Sequence, residues 1–173
     1  MTLIYAKRSK LEDIPTIMTI VNEAKNFLKS SGSTQWQSGY PNFDTIKNDI
    51  NLKQAWNLIV NNKLVAYTAC VIGKDPNYQE IDGAWKNNKD TYATIHRTAV
   101  SAAFRKKGLA SNLINQIISI YLEKGIYNFR IDTGKINYPM QHIAESHGFI
   151  FRGYIKIIDE PLDPVRLAYE LNL

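Results

Sequence analysis

At 173 residues the chain has the length of one domain with a substantial core, and no shift in composition divides it. A hydrophobic fraction of 45% and an aromatic fraction of 11% exclude a disordered or fibrous protein, and no apolar run approaches a membrane span. The net charge of +5 favours anionic partners without choosing among nucleic acid, acidic protein and a phosphorylated cofactor. A nucleic-acid partner is not expected, because the basic residues form neither a long stripe nor a readable motif.

The first eight residues, Met1-Thr2-Leu3-Ile4-Tyr5-Ala6-Lys7-Arg8, lack the order of a signal peptide. Cys70 is the single cysteine, which rules out an internal disulfide, so a reduced, cytoplasmic setting with no membrane partner is expected. Its apolar neighbours mark Cys70 as a core residue rather than a nucleophile.

In chain order, residues 3–7 alternate as a strand. A helix follows with Glu12 and Asp13 in its first turn. Ile14, Ile17, Met18, Val21, Ala24, Lys25 and Leu28 give it one apolar face as far as Ser31, and Pro15 falls early enough to be tolerated. The loop 34–41 carries Gln35, Trp36, Gln37 and Tyr40, as a lid on the core or as a pocket wall. Asn42 caps a second helix to about Lys53. Residues 55–60 and 64–72 read as a hairpin about Asn61-Asn62-Lys63. Residues 73–90 are polar and irregular, long enough to wall a site, with Tyr78, Ile81 and Trp85 as anchors. Then come a strand (92–100), a helix (108–123), a strand (129–133), a short helix (138–147) and two strands (149–158 and 166–171). The order β α α β β β α β α β β predicts a mixed sheet covered on both faces.

The chain is organised around residues 96–113, where a strand leads through a short crossing into Arg105-Lys106-Lys107-Gly108-Leu109-Ala110 and an apolar helix. Free N–H groups at a helix start bind anions when the backbone can be approached, and Gly108 allows that approach. The plain alternative is a βα junction with a solvated basic corner. No Gly-Lys-Ser/Thr follows, and the glycine spacing fits no dinucleotide fingerprint.

This stretch resembles the signature of the GNAT superfamily of acetyl-coenzyme A dependent N-acetyltransferases, Arg/Gln-x-x-Gly-x-Gly/Ala behind a strand ending in Val. Here that strand ends in Val100. A second family motif, Asn followed after a helix by Gly-Phe, is matched by Asn137 and Gly148-Phe149. The resemblance covers essentially the whole chain, 1–173, as a single domain. It implies an α/β (mixed α+β) fold with a central, mostly antiparallel sheet, splayed central strands and helices on both faces. It implies that the amides of Lys107, Gly108, Ala110 and Ser111, with Leu109 in the same turn, hold the coenzyme A pyrophosphate, and that Arg105 and Lys106 lie near its phosphates. The main chain of Thr98, Ala99 and Val100 would pair with the pantetheine arm, and Asn137 would meet that arm from the other side. Gln35, Trp36 and Tyr40 would wall the acceptor pocket.

An alkylammonium group with a pKa of about 10.4 must lose a proton before it attacks a thioester near neutral pH. The family's usual carboxylate position is Thr94 here, and its usual tyrosine acid position is Ala144. Alternation places His96 on the face of Thr94, Thr98 and Val100. His96 then reads either as the base, or the end of a water relay, or as a hydrogen-bonded core residue. Tyr138 or His147 stands as a substitute acid, or water suffices, a thiolate being a reasonable leaving group. Asp132 pairs internally with Arg130, and with Arg97, or else binds a cationic amine. The expected activity is transfer of acetyl from acetyl-CoA, with no metal, to an amine of a small molecule or peptide. The alternative is a non-catalytic acyl-CoA binding or regulatory module. A homodimer is compatible with the resemblance.

Overall fold

The computed structural model describes residues 2–173. The first strand, β1 (Ile4–Arg8), leads through a 3-10 turn into α1 (Ile14–Ser30), whose Ile14, Ile17, Ile20, Val21 and Leu28 are buried. Pro15 sits in its first turn, where no backbone N–H is required. Helix α2 (Phe43–Asn51) starts at Asn42, whose side chain accepts from the Thr45 N–H at 3.0 Å. Strands β2 (Ala55–Val60) and β3 (Lys63–Ile72) meet at Asn61 and Asn62, both at positive φ, as a tight two-residue hairpin turn demands.

Residues 73–90 contain a 3-10 turn at Pro76–Tyr78 and a two-residue strand, β4 (Asp82–Gly83), beyond the eleven elements expected. That strand pairs with β7, and a Cβ on Gly83 would meet Arg152 O at 2.1 Å. Such close crossing of two backbones leaves no room for a side chain. There follow β5 (Tyr92–Val100), α3 (Leu109–Leu122), β6 (Asn128–Thr133), α4 (Tyr138–Ser146), β7 (Ile150–Lys156) and β8 (Val165–Asn172).

One eight-stranded sheet results, in the order β1-β2-β3-β5-β6-β8-β7-β4. Among the described residues only β5 and β6 run parallel, and every other pair is antiparallel. Helices α3 and α4 cover one face, over Leu58, Ala66, Cys70, Ile95, Phe129 and Ile131. Helices α1 and α2 cover the other, over Ala55, Tyr67 and Ala69. Tyr78 and Trp85 extend that second layer over Ile155 and Ala168. This is the mixed fold, with both faces covered, that the order of elements predicts.

Two details of β5 place the site. Its pairing with β6 runs from Tyr92↔Asn128 to Thr94↔Arg130 and stops there, so the two strands diverge beyond Thr94. Its pairing with β3 passes from Ala69↔His96 to Tyr67↔Ala99, with one extra residue on β5. Arg97 takes φ +56° in this bulge. The extra residue corrects the simple alternation: Thr94, His96 and Ala99 share the face of α1, whereas Val100 pairs with Ala66 on the α3 face.

Candidate active site

The divergence of β5 from β6 opens a cavity of about 760 Å³. One end reaches Arg105 and Ala110 at the start of α3, and the other reaches Asp75, His96 and Asp132. Between them run Thr98, Ala99 and Val100 on one wall and Asn137, Met140 and Ile143 on the other.

At the turn, Gly108 has φ +69° and caps α3 without a side chain. A Cβ there would touch nothing within 4 Å, so glycine is required by the backbone angle rather than by crowding. Among the described residues, the first α3 N–H with a chain acceptor is that of Asn112, bonded to Gly108 O at 2.9 Å. The N–H groups of Leu109, Ala110 and Ser111 therefore remain for an anion. The cations divide unequally. Arg105 donates to Glu23 O at 2.8 Å and lies over the Phe27 ring, and Lys107 folds over Phe104. Lys106, exposed and at φ +60°, makes no such contact among the described residues.

Gln35, Trp36 and Tyr40 line the cavity, whereas Gln37 does not. Gln35 Oε1 accepts from Gly134 N and from Asn137 Nδ2, both at 3.2 Å. Trp36 packs with Ile20, Leu28 and Ala99, and its N–H donates to both oxygens of Glu160 at 3.0 and 3.1 Å. The loop is thus a core lid and a pocket wall at once. Asn137 Oδ1 accepts from Met140 N at 3.4 Å, so its side chain is committed to capping α4 and to Gln35.

At the inner end His96 stands between two carboxylates. Its Nε2 lies 2.9 Å from Asp75 Oδ2, and its Nδ1 lies 3.8 Å from Asp132 Oδ1. The Tyr78 hydroxyl, whose pKa is raised well above the ordinary value by burial and then by Asp132, donates to Asp132 Oδ1 at 2.5 Å. Asp75 does not stand out in the sequence, and Tyr78 does so only as an anchor of the loop, whose length signals a site.

The internal pairing expected for Asp132 is corrected. Arg130 lies between the Trp85 and Tyr92 rings, 3.9 and 3.8 Å from their centroids, and pairs with Glu170 at 3.5 Å. Arg97 turns to Asp49 at 2.6 Å. Asp132 faces the cavity instead, with Arg166 Nε 4.0 Å away. Register explains the split: Arg130 sits opposite Glu170 on β8, whereas Asp132 sits opposite Ala168 and meets no facing charge there.

The substitute acids also fall elsewhere. Tyr138 is 67% exposed and outside the cavity, because the first turn of α4 presents Asn137, Pro139 and Met140 inward. His147 joins α4 to α3, with Nδ1 2.7 Å from Ile143 O and Nε2 3.0 Å from Ser111 Oγ. Thr94 is fully buried, and its hydroxyl has no partner among the described residues. Among the described residues no group of three or more His, Cys, Asp or Glu is placed to hold a metal ion.

The sequence profile of the acetyltransferase (GNAT) family matches residues 21–149. The chain belongs to this family. A GNAT-family acetyltransferase from Streptococcus agalactiae superposes with a TM-score of 0.87 at 34% identity, over 98% of this chain and 95% of that one. One from Listeria monocytogenes gives 0.72 at 23% identity, over 98% and 95%. The PaiA N-acetyltransferase of Thermoplasma acidophilum, in complex with coenzyme A, gives 0.72 at 13% identity over 99% of both chains. These last two show the shared GNAT fold. No curated protein matches the chain by sequence.

Proposed function

We propose that this GNAT protein transfers the acetyl group of acetyl-coenzyme A to a primary amine of a small molecule or peptide, directly, in a ternary complex. The observation that carries this reading is one continuous cavity with free N–H groups at one end and His96 between two carboxylates at the other. The residues fit the cofactor. Leu109, Ala110 and Ser111 offer N–H groups to a pyrophosphate, and Lys106 adds a free cation. The edge of β5 beyond Thr94 has no strand partner on the β6 side, which leaves backbone groups for an extended amide-bearing arm.

The thioester supplies an activated acyl carbon. The chain supplies the rest. Asp75 and Asp132 attract a cationic amine into the inner end, Trp36 and Tyr40 narrow it, and His96 takes the proton that must leave before nitrogen attacks. Neither Thr94 nor Ala144 carries a titratable group, so the carboxylates come from the loop after β3 and from β6.

Two measurements test this. Calorimetric titration with coenzyme A should show binding, and its absence at millimolar ligand overturns the cofactor assignment. Thiol release from acetyl-CoA across an amine panel should show turnover. Cofactor binding without turnover on any amine favours the non-catalytic module.

A further inference from the structure

We propose that Asp75 is a positioning residue that fixes the ring of His96, so that Nδ1 is the atom that receives the amine's proton. This rests on reading the cavity as a site of amine acetylation. Asp75 lies outside both motifs, yet each of its carboxylate oxygens has a partner and its backbone is anchored. Oδ1 accepts from Asn77 N at 2.9 Å, its own N–H donates to the Tyr92 hydroxyl at 3.0 Å, and Oδ2 lies 2.9 Å from His96 Nε2. Burial pushes its carboxyl upward, but the hydrogen bond and charge of His96 and the bonds from Asn77 outweigh this and hold it below the ordinary value. Asp75 is therefore ionised and only accepts hydrogen bonds.

A carboxylate that only accepts requires a hydrogen on Nε2. In the neutral ring the lone pair then belongs to Nδ1. That nitrogen is 3.8 Å from Asp132 Oδ1, too far for a hydrogen bond, and has no other partner among the described residues. The Tyr78 ring stands edge-on to the imidazole at 5.9 Å between centroids and closes its other side. His96, Asp75 and Asp132 each keep 12% of side-chain exposure and all line the cavity, which distinguishes them from a sealed core pair.

The proton balance follows. Nδ1 takes the proton shed by the attacking nitrogen as the C–N bond forms and the thioester C–S bond breaks, with its electron pair leaving on sulfur. Delivery of that proton to sulfur, directly or through solvent, returns the ring to neutrality. While the ring is charged it faces Asp75 on one side and Asp132 on the other. The remaining groups around it are Tyr78, which donates to Asp132, and Arg166, with Nε 4.0 Å from Asp132 Oδ2. Arg97, the next residue, is turned away to Asp49.

Long-range proton–nitrogen NMR of histidine-labelled protein, at a pH where the rings are neutral, reads the tautomer directly. His96, assigned by its disappearance in His96→Gln, should carry hydrogen on Nε2. His147, with Nδ1 against Ile143 O, should show the opposite pattern and serves as an internal reference. Hydrogen on Nδ1 of His96 overturns the proposal. In kinetics, Asp75→Asn should lower kcat by about 10²-fold with KM for acetyl-CoA within about twofold. Asp75→Glu should recover part of the loss. An unchanged kcat in a folded Asp75→Asn protein overturns the proposal. Absence of turnover in the wild type overturns the acetylation reading itself, and the tautomer spectrum then separates the two failures.

Discussion

Arg97 reaches from the β5 bulge to Asp49 on α2, with Nε 2.9 Å from Oδ2 and Nη2 2.6 Å from Oδ1. Burial pushes the guanidinium down, but Tyr40 and Asp49 beside it outweigh this and raise it. The Tyr67 hydroxyl adds a bond to Asp49 Oδ2 at 2.6 Å, and Arg97 Nη1 donates to the Tyr40 oxygen at 2.5 Å. The bulge that opens the cleft is thereby tied to the helix and the loop that wall it.

Removing one member of this pair strands the other. Arg97→Ala should destabilise the fold by about 3 kcal/mol or more in denaturant unfolding, whereas a double Arg97→Met, Asp49→Leu variant should cost less, because no buried charge is left unpaired. Equal losses in the two variants would assign the effect to packing alone.

Glu160 carries a pH dependence of definite sign. Burial raises its carboxyl above the ordinary value, with Arg166 and the Trp36 N–H only partly offsetting this. Between the unfolded value of about 4.3 and the higher folded one, the folded chain holds more protons, so this group's contribution to stability falls as pH rises through that window. Chemical unfolding at a series of pH values should show Glu160→Gln gaining on the wild type across it. A constant difference would contradict the assignment.

Gly108→Ala forces a side chain into left-handed backbone, at a cost of about 1–2 kcal/mol, without a clash inside the chain. Relief of that strain would shift the turn that presents the free N–H groups. Calorimetry should show coenzyme A affinity falling about tenfold or more with only a modest drop in Tm. Unchanged affinity would move the phosphates elsewhere.

Cys70 is 1% exposed, and burial pushes its thiol up to about 12. Native protein at pH 8 should leave an aromatic disulfide reagent unreacted, and one equivalent should react after denaturation. Fast native reaction would contradict the packing of β3 against α3.

The sequence makes legible what repeats or punctuates: the apolar face of α1, the paired asparagines of the hairpin, and Gly108 before α3. It hides what depends on one inserted residue. Nothing in Arg97 announces positive φ, yet that bulge decides that Val100 faces α3 while His96 faces the cavity. Asp75, and the contact that the Tyr78 anchor makes with Asp132, are hidden for another reason. Their loop folds back across the sheet to reach Asp132, more than fifty positions away in the chain, and no local pattern encodes such a contact.

The central claim is that one cavity joins a cofactor turn to a proton acceptor. Its most direct test is thiol release from acetyl-CoA with an accepting amine, comparing wild type with His96→Ala. The account predicts wild-type turnover, a loss of about 10²-fold or more in kcat for the variant, and coenzyme A affinity within about twofold of wild type by calorimetry. A variant that turns over at the wild-type rate across the pH range would contradict it.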